Sequence, residues 1–212
     1  LATGDGDAGD TYGIGILKSV DGGIHFAPTS FSVEYSERIY FRRILINPDH
    51  PSELIVRSND GIFKTKDGFA TVTRVQKGRF KDLEFKPGNP DIVYATRYDP
   101  SGEAGIFRST DAGDSFTRVS EGLDLLNNTN RIEIAVTPAD PSLVYAIASD
   151  VNDDGFYGFY RSGNSGLTWT KVYRKDDPGS KNLLGWSFDG DDEGGQGWYD
   201  LSLAVSPVDP DI

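Results

Sequence analysis

Residues 18–26 read Lys18-Ser19-Val20-Asp21-Gly22-Gly23-Ile24-His25-Phe26, and the same pattern returns further along the chain. Each full copy places a basic residue, a hydroxyl residue, a spacer, Asp or Asn, and a glycine ahead of an apolar or aromatic position. The clearest copies begin at Arg108 and Arg161, and a shortened copy begins at Lys64. A local pattern that repeats at a regular interval predicts an array of equivalent structural units.

A second motif alternates with the first and consists of a prolyl turn between two short apolar runs. The runs are too short for helices and are rich in β-branched residues, so they predict strands. Each unit then has four antiparallel strands, with the prolyl turn after the first and the Asp or Asn turn after the third, which is typical of a propeller blade. The turns span Pro48 to Pro51, Pro87 to Pro90, Pro138 to Pro141 and Pro207 to Pro210.

The spacing of the motif supports an all-β fold, a β-propeller of four-stranded antiparallel blades. The Asp or Asn positions 21, 67, 111 and 164 lie close to the roughly 40–50 residue period of known propellers. Residues 1–212 are predicted to be part of one propeller, and an incomplete one, because open sheet edges need closure. Full blades are expected near 40–77, 80–120 and 130–175, with partial blades near 1–35 and 198–212.

Composition narrows the range of partners. The formal net charge of −12 argues against nucleic-acid binding, which needs a basic surface. No stretch approaches the roughly 20 apolar residues of a transmembrane segment, and the absence of cysteine excludes disulfides within this sequence. We therefore expect a protein or glycan partner.

The repeated motif has a structural interpretation. Its Asp or Asn side chain can accept backbone N–H bonds in the turn, its glycine takes positive φ, and its final aromatic residue closes the blade edge. The basic residues Lys18, Lys64, Arg108 and Arg161 are expected at the surface or a sheet edge. The residues assigned this structural role are Ser19, Asp21, Gly23, Asp67, Ser109, Asp111, Gly113, Phe116, Ser162, Asn164, Gly166 and Trp169.

These four motifs resemble the BNR or Asp-box repeats of sialidases, xyloglucanase-type glycoside hydrolases and sortilin-like (VPS10) propellers. The segments 3–11 and 194–207 are similar to large Asp-box proteins that Gram-negative bacteria export to their surface, often by type IX secretion. The resemblance implies an extracellular or cell-surface location. It describes a fold, which many functions share.

Strand parity places all the irregular loops on one face, where binding residues usually lie. On this face Asp150, Asn152 and Asp154 have the spacing of a calcium loop, although Arg161 stands where an EF-hand has its bidentate Glu. Calcium is therefore a candidate cofactor, and a solvated acidic loop is the alternative. Similar acidic groups are Asp5, Asp7 and Asp10, and Asp189, Asp191, Asp192 and Glu193.

Aromatic residues form the second candidate site. Trp186, Phe188, Trp198 and Tyr199 lie in or beside a Gly-rich acidic insertion, where exposed rings next to carboxylates would bind sugars, and Trp186, Trp198 and Tyr199 are the candidate ligand-binding residues. In the alternative, Trp198 and Tyr199 begin a strand and pack between blades, while Trp186 anchors the loop.

No motif assigns a catalytic residue, because the sequence has no sialidase-type arginine signature, nucleophile elbow or zinc motif. We therefore predict a secreted or cell-surface recognition or scaffold module that binds a protein or glycan through its loop-rich face. One alternative is a sialidase- or xyloglucanase-like glycoside hydrolase domain. Another is an accessory subunit of a surface or secretion complex.

Overall fold

The computed structural model describes residues 1–5, 11–119 and 121–212, so the predicted site residues Asp7 and Asp10 lie outside the described part. Within it, one short 3-10 turn, Tyr35–Glu37, accompanies a set of β-strands. The strands are β1 (Gly15–Lys18), β2 (Ala27–Ser32), β3 (Phe41–Ile46), β4 (Leu54–Ser58), β5 (Gly61–Thr65), β6 (Thr73–Lys77), β7 (Phe80–Lys86), β8 (Asn89–Arg97), β9 (Gly105–Ser109), β10 (Thr117–Val119), β11 (Thr129–Val136), β12 (Val144–Asp150), β13 (Phe156–Ser162) and β14 (Thr170–Arg174).

The strands form three four-stranded antiparallel sheets, each in sequential order: β3 to β6, β7 to β10 and β11 to β14. A two-stranded antiparallel sheet, β1 with β2, precedes them. The first strands of the three sheets lie together, because β7 packs against both β3 and β11. This arrangement is that of propeller blades, with first strands inside, and the predicted fold class is confirmed. No helix in the described ranges has the length and apolar character needed to cross a membrane.

The hydrophobic core lies between neighbouring sheets. Tyr94 and Ile106 of the second sheet and Ile134 and Tyr160 of the third belong to one buried cluster, which Trp169 also joins. A second cluster joins the first and second sheets through Ile55, Leu83 and Phe107. Each sheet therefore buries its faces against the next, and removal of this apolar surface from water holds the array together.

The repeated turns between the third and fourth strands share one hydrogen-bond pattern. The Ser109 hydroxyl donates to Asp111 Oδ1 at 2.6 Å and accepts the Gly113 N–H at 2.8 Å. Asp111 Oδ1 also accepts the Ser115 N–H at 2.9 Å. The other copies repeat this with Ser19 and Asp21, Thr65 and Asp67, and Ser162 and Asn164. The turn glycines Gly23, Gly113 and Gly166 have positive φ.

These bonds change the acidity of the turn carboxyls. Backbone N–H donation from His25, together with the Ser19 hydroxyl, lowers the pKa of Asp21 to about 2. The Thr71 backbone N–H does the same for Asp67, whose pKa is also about 2.

The aromatic residues that end the motif differ in their burial. Trp169 is buried, whereas Phe116 is partly exposed and packs against the second hydrophobic cluster.

The basic residues of the motif depart from expectation at Lys64. This ammonium group is buried, with only 4% of the side chain exposed, and lies 3.0 Å from Asp114 Oδ1 in the motif turn of the next sheet. Arg108 has a matching contact, because its Nε donates to the Ser165 carbonyl oxygen at 2.8 Å. The surface assignment of Lys64 is therefore wrong, since its partner lies on a neighbouring blade that local sequence does not reveal.

Two stretches differ in detail from the predicted strand pattern. Pro90 lies inside β8 rather than in a turn, and Gly88 at φ +73° makes a tight turn that pairs Lys86 with Asn89. The register of β7 and β8 shifts between Phe85 and Lys86. This irregularity accommodates Pro90, which has no backbone N–H to donate. Residues 198–212 contain no strand, and they pack on the third sheet through buried Leu201.

Candidate binding face

The irregular loops meet at the end of the sheets where the inner strands β7 and β11 begin. The loop after β8 reaches both starts: the Tyr98 N–H donates to the Arg79 carbonyl and the Asp99 N–H to the Asn130 carbonyl. The loop after β12 holds the long segment after β14, because the Asp153 and Asp154 carbonyls accept the N–H groups of Gly195 and Gly197. We call this the loop-rich face.

A polar cleft of about 370 Å³ lies on this face, between the β12–β13 loop and the segment after β14. We call it the acidic cleft, since its lining includes Asp153, Asp176, Asp191, Asp192 and Glu193, with Lys175 and Lys181 among them. Burial acts to raise the pKa of Asp192, but hydrogen bonds from Ser187 and from the Trp186 N–H hold it below its usual range. Lys181 forms an ion pair with Asp191. The cleft is suited to polar groups such as hydroxyls.

The candidate calcium residues are engaged with protein partners. Asp150 is 1% exposed, and its Oδ2 pairs with the Lys175 ammonium. Its Oδ1 accepts both the backbone N–H and the side-chain amide of Asn152, at 2.8 and 2.9 Å. Asp154 Oδ1 accepts the Asn130 amide at 2.5 Å. Asn152 thus turns a donor toward Asp150, and the calcium site at these three residues stays a prediction.

The other acidic residues that the structure describes do not form the arrangement of a metal centre. In the described ranges, no three His, Cys, Asp or Glu residues lie close enough together to hold an ion. Asp189, Asp191, Asp192 and Glu193 share one segment, but Asp192 is bound to the neighbouring backbone and Asp191 to Lys181. Asp5 is described, whereas its predicted companions Asp7 and Asp10 are not.

Trp198 and Tyr199 form an exposed aromatic pair. Their ring centroids are 5.3 Å apart at an interplanar angle of 43°. Each residue is 41% exposed, and both lie in a turn rather than at the start of a strand. The two rings therefore lie at the surface and are not packed between blades, which was the alternative. Trp186 is 66% exposed and lies in the segment that borders the acidic cleft.

Five basic residues at or beside the starts of the inner strands were not singled out from the sequence. This basic cluster consists of Arg42 in β3, Arg57 in β4, Arg79, Lys81 in β7, and Arg131 in β11. Arg57, Lys81 and Arg131 are buried, whereas Arg42 and Arg79 are exposed. A weak signal existed: charged residues interrupt each predicted inner strand near its beginning.

Two carboxylates accompany the basic cluster. Asp82 Oδ1 accepts the Leu83 N–H at 2.8 Å, and its Oδ2 accepts the Ile134 N–H at 3.0 Å, so it joins β7 to β11. Glu133 pairs with Arg131 at 2.7 Å. Burial and the nearby Asp82 charge raise the pKa of Glu133 to about 8, against the opposing effect of Arg131.

The electrostatics of the cluster are unusual for an acidic protein. Burial lowers the pKa of Lys81 to about 7, and repulsion from Arg131, Arg57, Arg42 and Arg79 adds to the effect. Burial likewise lowers the pKa of Arg57 to about 10. Farther along β7, burial raises the pKa of Glu84 to about 7, although it pairs with Arg43. Lys81 and Glu84 lie on the inner strand β7, and Arg57 lies on β4 beside the inner strand β3.

Comparisons with known proteins match this fold to glycoside hydrolases. No family model matches the chain. A xyloglucanase of Hypocrea jecorina (strain QM6a) is 30% identical over 119 residues, which are 54% of this chain and 13% of that protein. The chain therefore spans a small part of the curated relative that it matches, and the activity of a whole protein remains a matter for proposal.

Solved structures share the architecture at low identity. An ancestral GH74 enzyme aligns with a TM-score of 0.63 and 19% identity over 78% of this chain and 22% of its own. The GH74 xyloglucanase from Xanthomonas campestris gives 0.61 and 15%, covering 82% and 28% of the two chains. The GH74 enzyme of Niastella koreensis gives 0.56 and 16%, covering 81% and 27%. The shared property is the propeller fold. The resemblance to sialidases, sortilin-like propellers and type IX cargo stays a prediction.

Proposed function

We propose that this chain is part of a secreted or cell-surface β-propeller that binds a glycan through its loop-rich face. The exposed aromatic pair, Trp198 and Tyr199, carries the proposal. Sugar rings present C–H faces that pack on aromatic rings, while their hydroxyls need polar partners nearby. The acidic cleft supplies carboxylates and lysines on the same face. An extracellular location belongs to the proposal, because structural polysaccharides lie outside the cell.

Proximity of the two features supports a shared site. The Gly197 N–H, one residue before the aromatic pair, donates to the Asp154 carbonyl at 2.8 Å. Asp153, next to Asp154 in the same loop, lines the acidic cleft. A glycan of several sugar units could therefore contact the rings and the cleft together.

Binding of a glycan panel to Trp198→Ala tests the proposal. Xyloglucan and cello-oligosaccharides would be titrated into the protein by calorimetry. We expect Trp198→Ala to weaken the tightest interaction about fivefold or more, since an aromatic contact contributes roughly 0.5–1.5 kcal/mol beyond its buried area. Phe188→Ala is the matched control, because this ring is fully exposed in the preceding segment. Equal affinities for wild type and Trp198→Ala, or no binding of any glycan, would refute the proposal.

A glycoside hydrolase is the second candidate, supported by the stretch of 30% identity to a xyloglucanase. A general acid needs a raised pKa, and Glu84 and Glu133 meet that condition at about 7 and about 8. However, Glu133 is hydrogen-bonded to Asp82. Glycosidase carboxylates stand about 5–5.5 Å apart in retaining and about 6.5–9.5 Å apart in inverting enzymes. The Asp82 and Glu133 pair is therefore too close for either mechanism, which ranks this candidate second.

Reducing-sugar release from xyloglucan separates the two candidates. A hydrolase would release sugar, and Glu84→Gln or Glu133→Gln would abolish the release while leaving binding intact. The proposed binding module gives no turnover in either variant or in wild type. A third arrangement, a module that holds another protein of a surface complex, predicts recovery of that protein in a pull-down that excess glycan does not displace.

A further inference from the structure

The basic residue at the start of each motif reaches the motif turn of the following sheet. Lys64 pairs with an acidic side chain of that turn, and Arg108 donates to a backbone carbonyl of the next one. Lys18 follows the same rule, because a Cβ atom at Gly68 would lie 3.3 Å from its ammonium nitrogen. Three of the four basic residues of the motif therefore hold one sheet to the next.

The cross-strand neighbour of the basic residue completes each contact. Tyr94 is paired with Arg108 across β8 and β9, and a Cβ atom at Gly166 of the next turn would lie 2.9 Å from the Tyr94 ring. Ile55 has the same position in the first sheet, and its side chain would lie 2.5 Å from a Cβ atom at Gly113. Both glycines let the turn approach the preceding sheet without a side chain in between.

The third sheet presents the same pair with no motif turn against it. Tyr145 and Arg161 are cross-strand partners in β12 and β13, and the guanidinium carbon is 6.0 Å from the Tyr145 ring centroid. The Arg161 side chain is 46% exposed, and its ion pair with Asp211 is long, at 3.9 Å. Val172 lines a groove of about 490 Å³ beside it. We call Tyr145, Arg161 and Val172 the third-sheet socket.

The equivalent groove on the first sheet is partly filled by the next turn. It has a volume of about 370 Å³, and its lining includes Lys64, Val75 and Asp114 of the second motif turn. Val75 packs against the second hydrophobic cluster, whereas Val172 is 53% exposed. The third-sheet socket therefore leaves uncovered an apolar side chain and an arginine whose equivalents on the first sheet are covered.

The first motif turn, residues 18–26, has the complementary features. Its apolar residues Val20 and Ile24 are 92% and 76% exposed. Gly23 has the position of Gly113 and Gly166, but a Cβ atom there would meet only a side chain of its own turn, at 4.0 Å. The turn and the socket belong to sheets at opposite ends of the array, because each hydrophobic cluster joins neighbouring sheets. They can meet between two copies.

We propose that the third-sheet socket binds the first motif turn of a second copy of this chain. In this contact Arg161 donates to the Gly22 carbonyl and Gly23 packs on the Tyr145 ring, as in the contact between the second and third sheets. Burial of the exposed apolar side chains adds to the stability of the complex. The interface joins two different surfaces, so copies add head to tail into a ring or a filament.

The interface is separate from the proposed glycan site. Consecutive antiparallel strands reverse direction, so the motif turns lie at the end of the sheets opposite the loop-rich face. Assembly through the third-sheet socket therefore leaves the loop-rich face open, and the inference stands or falls independently of glycan binding.

Two variants each block one of the surfaces. Arg161→Glu reverses the charge of the socket, and Gly23→Asn adds a side chain to the turn with little strain, because Asn tolerates positive φ. Lys171→Glu is the control for the first, since Lys171 pairs with buried Tyr160 and so lies on the opposite face of the same sheet. Gly88→Asn is the control for the second, at a turn glycine with no atom within 4 Å of the added Cβ. Thermal melts verify that each variant is folded.

Sedimentation velocity measures the association. We expect wild type and both controls to form dimers or larger species between about 1 and 100 μM, and each blocking variant to stay monomeric, since a reversed interfacial charge raises Kd about 100-fold or more. An equimolar mixture of Arg161→Glu and Gly23→Asn should give a 1:1 heterodimer and nothing larger, because each variant keeps the surface that the other has lost.

Three results would overturn the inference. A monomeric wild type at the highest concentration would assign the socket to the motif turn of a different propeller blade. Association that survives in both blocking variants would place the interface elsewhere on the chain. A mixture that stays monomeric, although wild type associates, would show that copies do not meet through the socket of one and the turn of the other.

Discussion

Arg131 and Glu133 form a 2.7 Å ion pair within the single strand β11, two residues apart and therefore on the same face of the sheet. Both side chains are largely removed from water, with 2% and 14% exposed. The same Arg131 also holds the backbone of Trp198 and Tyr199. The protonation state of Glu133 is thus linked to the strand, the basic cluster and the segment after β14.

Glu133→Gln should remove a pH dependence of stability. The pKa of Glu133 is about 8 in the folded protein, against 4.5 for the free side chain. Between pH 4.5 and about 8, Glu133 keeps its proton in the folded state but loses it in the unfolded state. The stability of the folded protein that is present below pH 4.5 is therefore lost progressively as pH rises toward about 8. Gln stays neutral, so between pH 4.5 and 8 the variant should gain roughly 4 kcal/mol of stability relative to wild type.

Urea unfolding of both proteins between pH 5 and 8.5 measures this difference. Glu121→Gln serves as control because Glu121 is an exposed glutamate outside the inner strands. Parallel curves for wild type and Glu133→Gln would show that Glu133 does not retain its proton in the folded state.

Asp111→Ala should destabilise the second sheet through its turn. The side chain accepts the Ser115 N–H at 2.9 Å and hydroxyl bonds from Ser109 and Ser115, both at 2.6 Å. Loss of these acceptors should lower the free energy of unfolding by about 1–3 kcal/mol. Asp111→Asn is the matched control, because Asn164 occupies the equivalent position and accepts the Thr168 N–H at 2.9 Å. A variant with Asn as destabilised as the one with Ala would mean that the negative charge, rather than the hydrogen bonds, stabilises the turn.

The repeated turns could be predicted from sequence because their bonds join residues no more than four positions apart, as from Ser109 to Gly113. The four-stranded sheets follow from short apolar runs between such turns. Contacts between blades were less accessible: Lys64 meets Asp114, and the basic cluster draws on four different strands. Local pattern does not specify which charged residues of an inner strand meet across sheets. The candidate calcium loop shows the same limit, since Lys175, distant in sequence, pairs with Asp150.

Gly122→Ala should be strongly destabilising. Gly122 has φ +78°, and a Cβ atom there would lie 1.8 Å from the Trp169 carbonyl oxygen, so the backbone of two connected blades would have to move apart. We expect a loss of about 2–4 kcal/mol in the free energy of unfolding. Gly88→Ala isolates the backbone contribution, because Gly88 has φ +73° with no atom within 4 Å of the added Cβ. It should cost only about 1 kcal/mol. Similar losses in both variants would refute the steric explanation.

Calcium should leave the melting temperature of the wild-type protein unchanged. Burial acts to raise the pKa of Asp150, but its hydrogen bond with Lys175 holds that pKa below the usual range, so the carboxylate already has a cationic partner. A ligand stabilises a protein by RT ln(1 + [L]/Kd), and because calcium would have to displace the Lys175 ammonium from Asp150, we expect no measurable stabilisation at about 5 mM calcium.

Lys175→Met should behave differently, because it removes the counter-ion of the Asp150 carboxylate. That carboxylate is buried, with 1% exposed in the wild-type protein. We expect this variant to melt at a lower temperature and to regain part of the loss when calcium is added, with reversal by EDTA. Lys171→Met is the control, since Lys171 pairs at 3.3 Å with partly exposed Asp177 and not with Asp150. A calcium-dependent rise of several degrees in wild type would show instead that the ion displaces Lys175, and would make Asp150, Asn152 and Asp154 the calcium site that their spacing predicts.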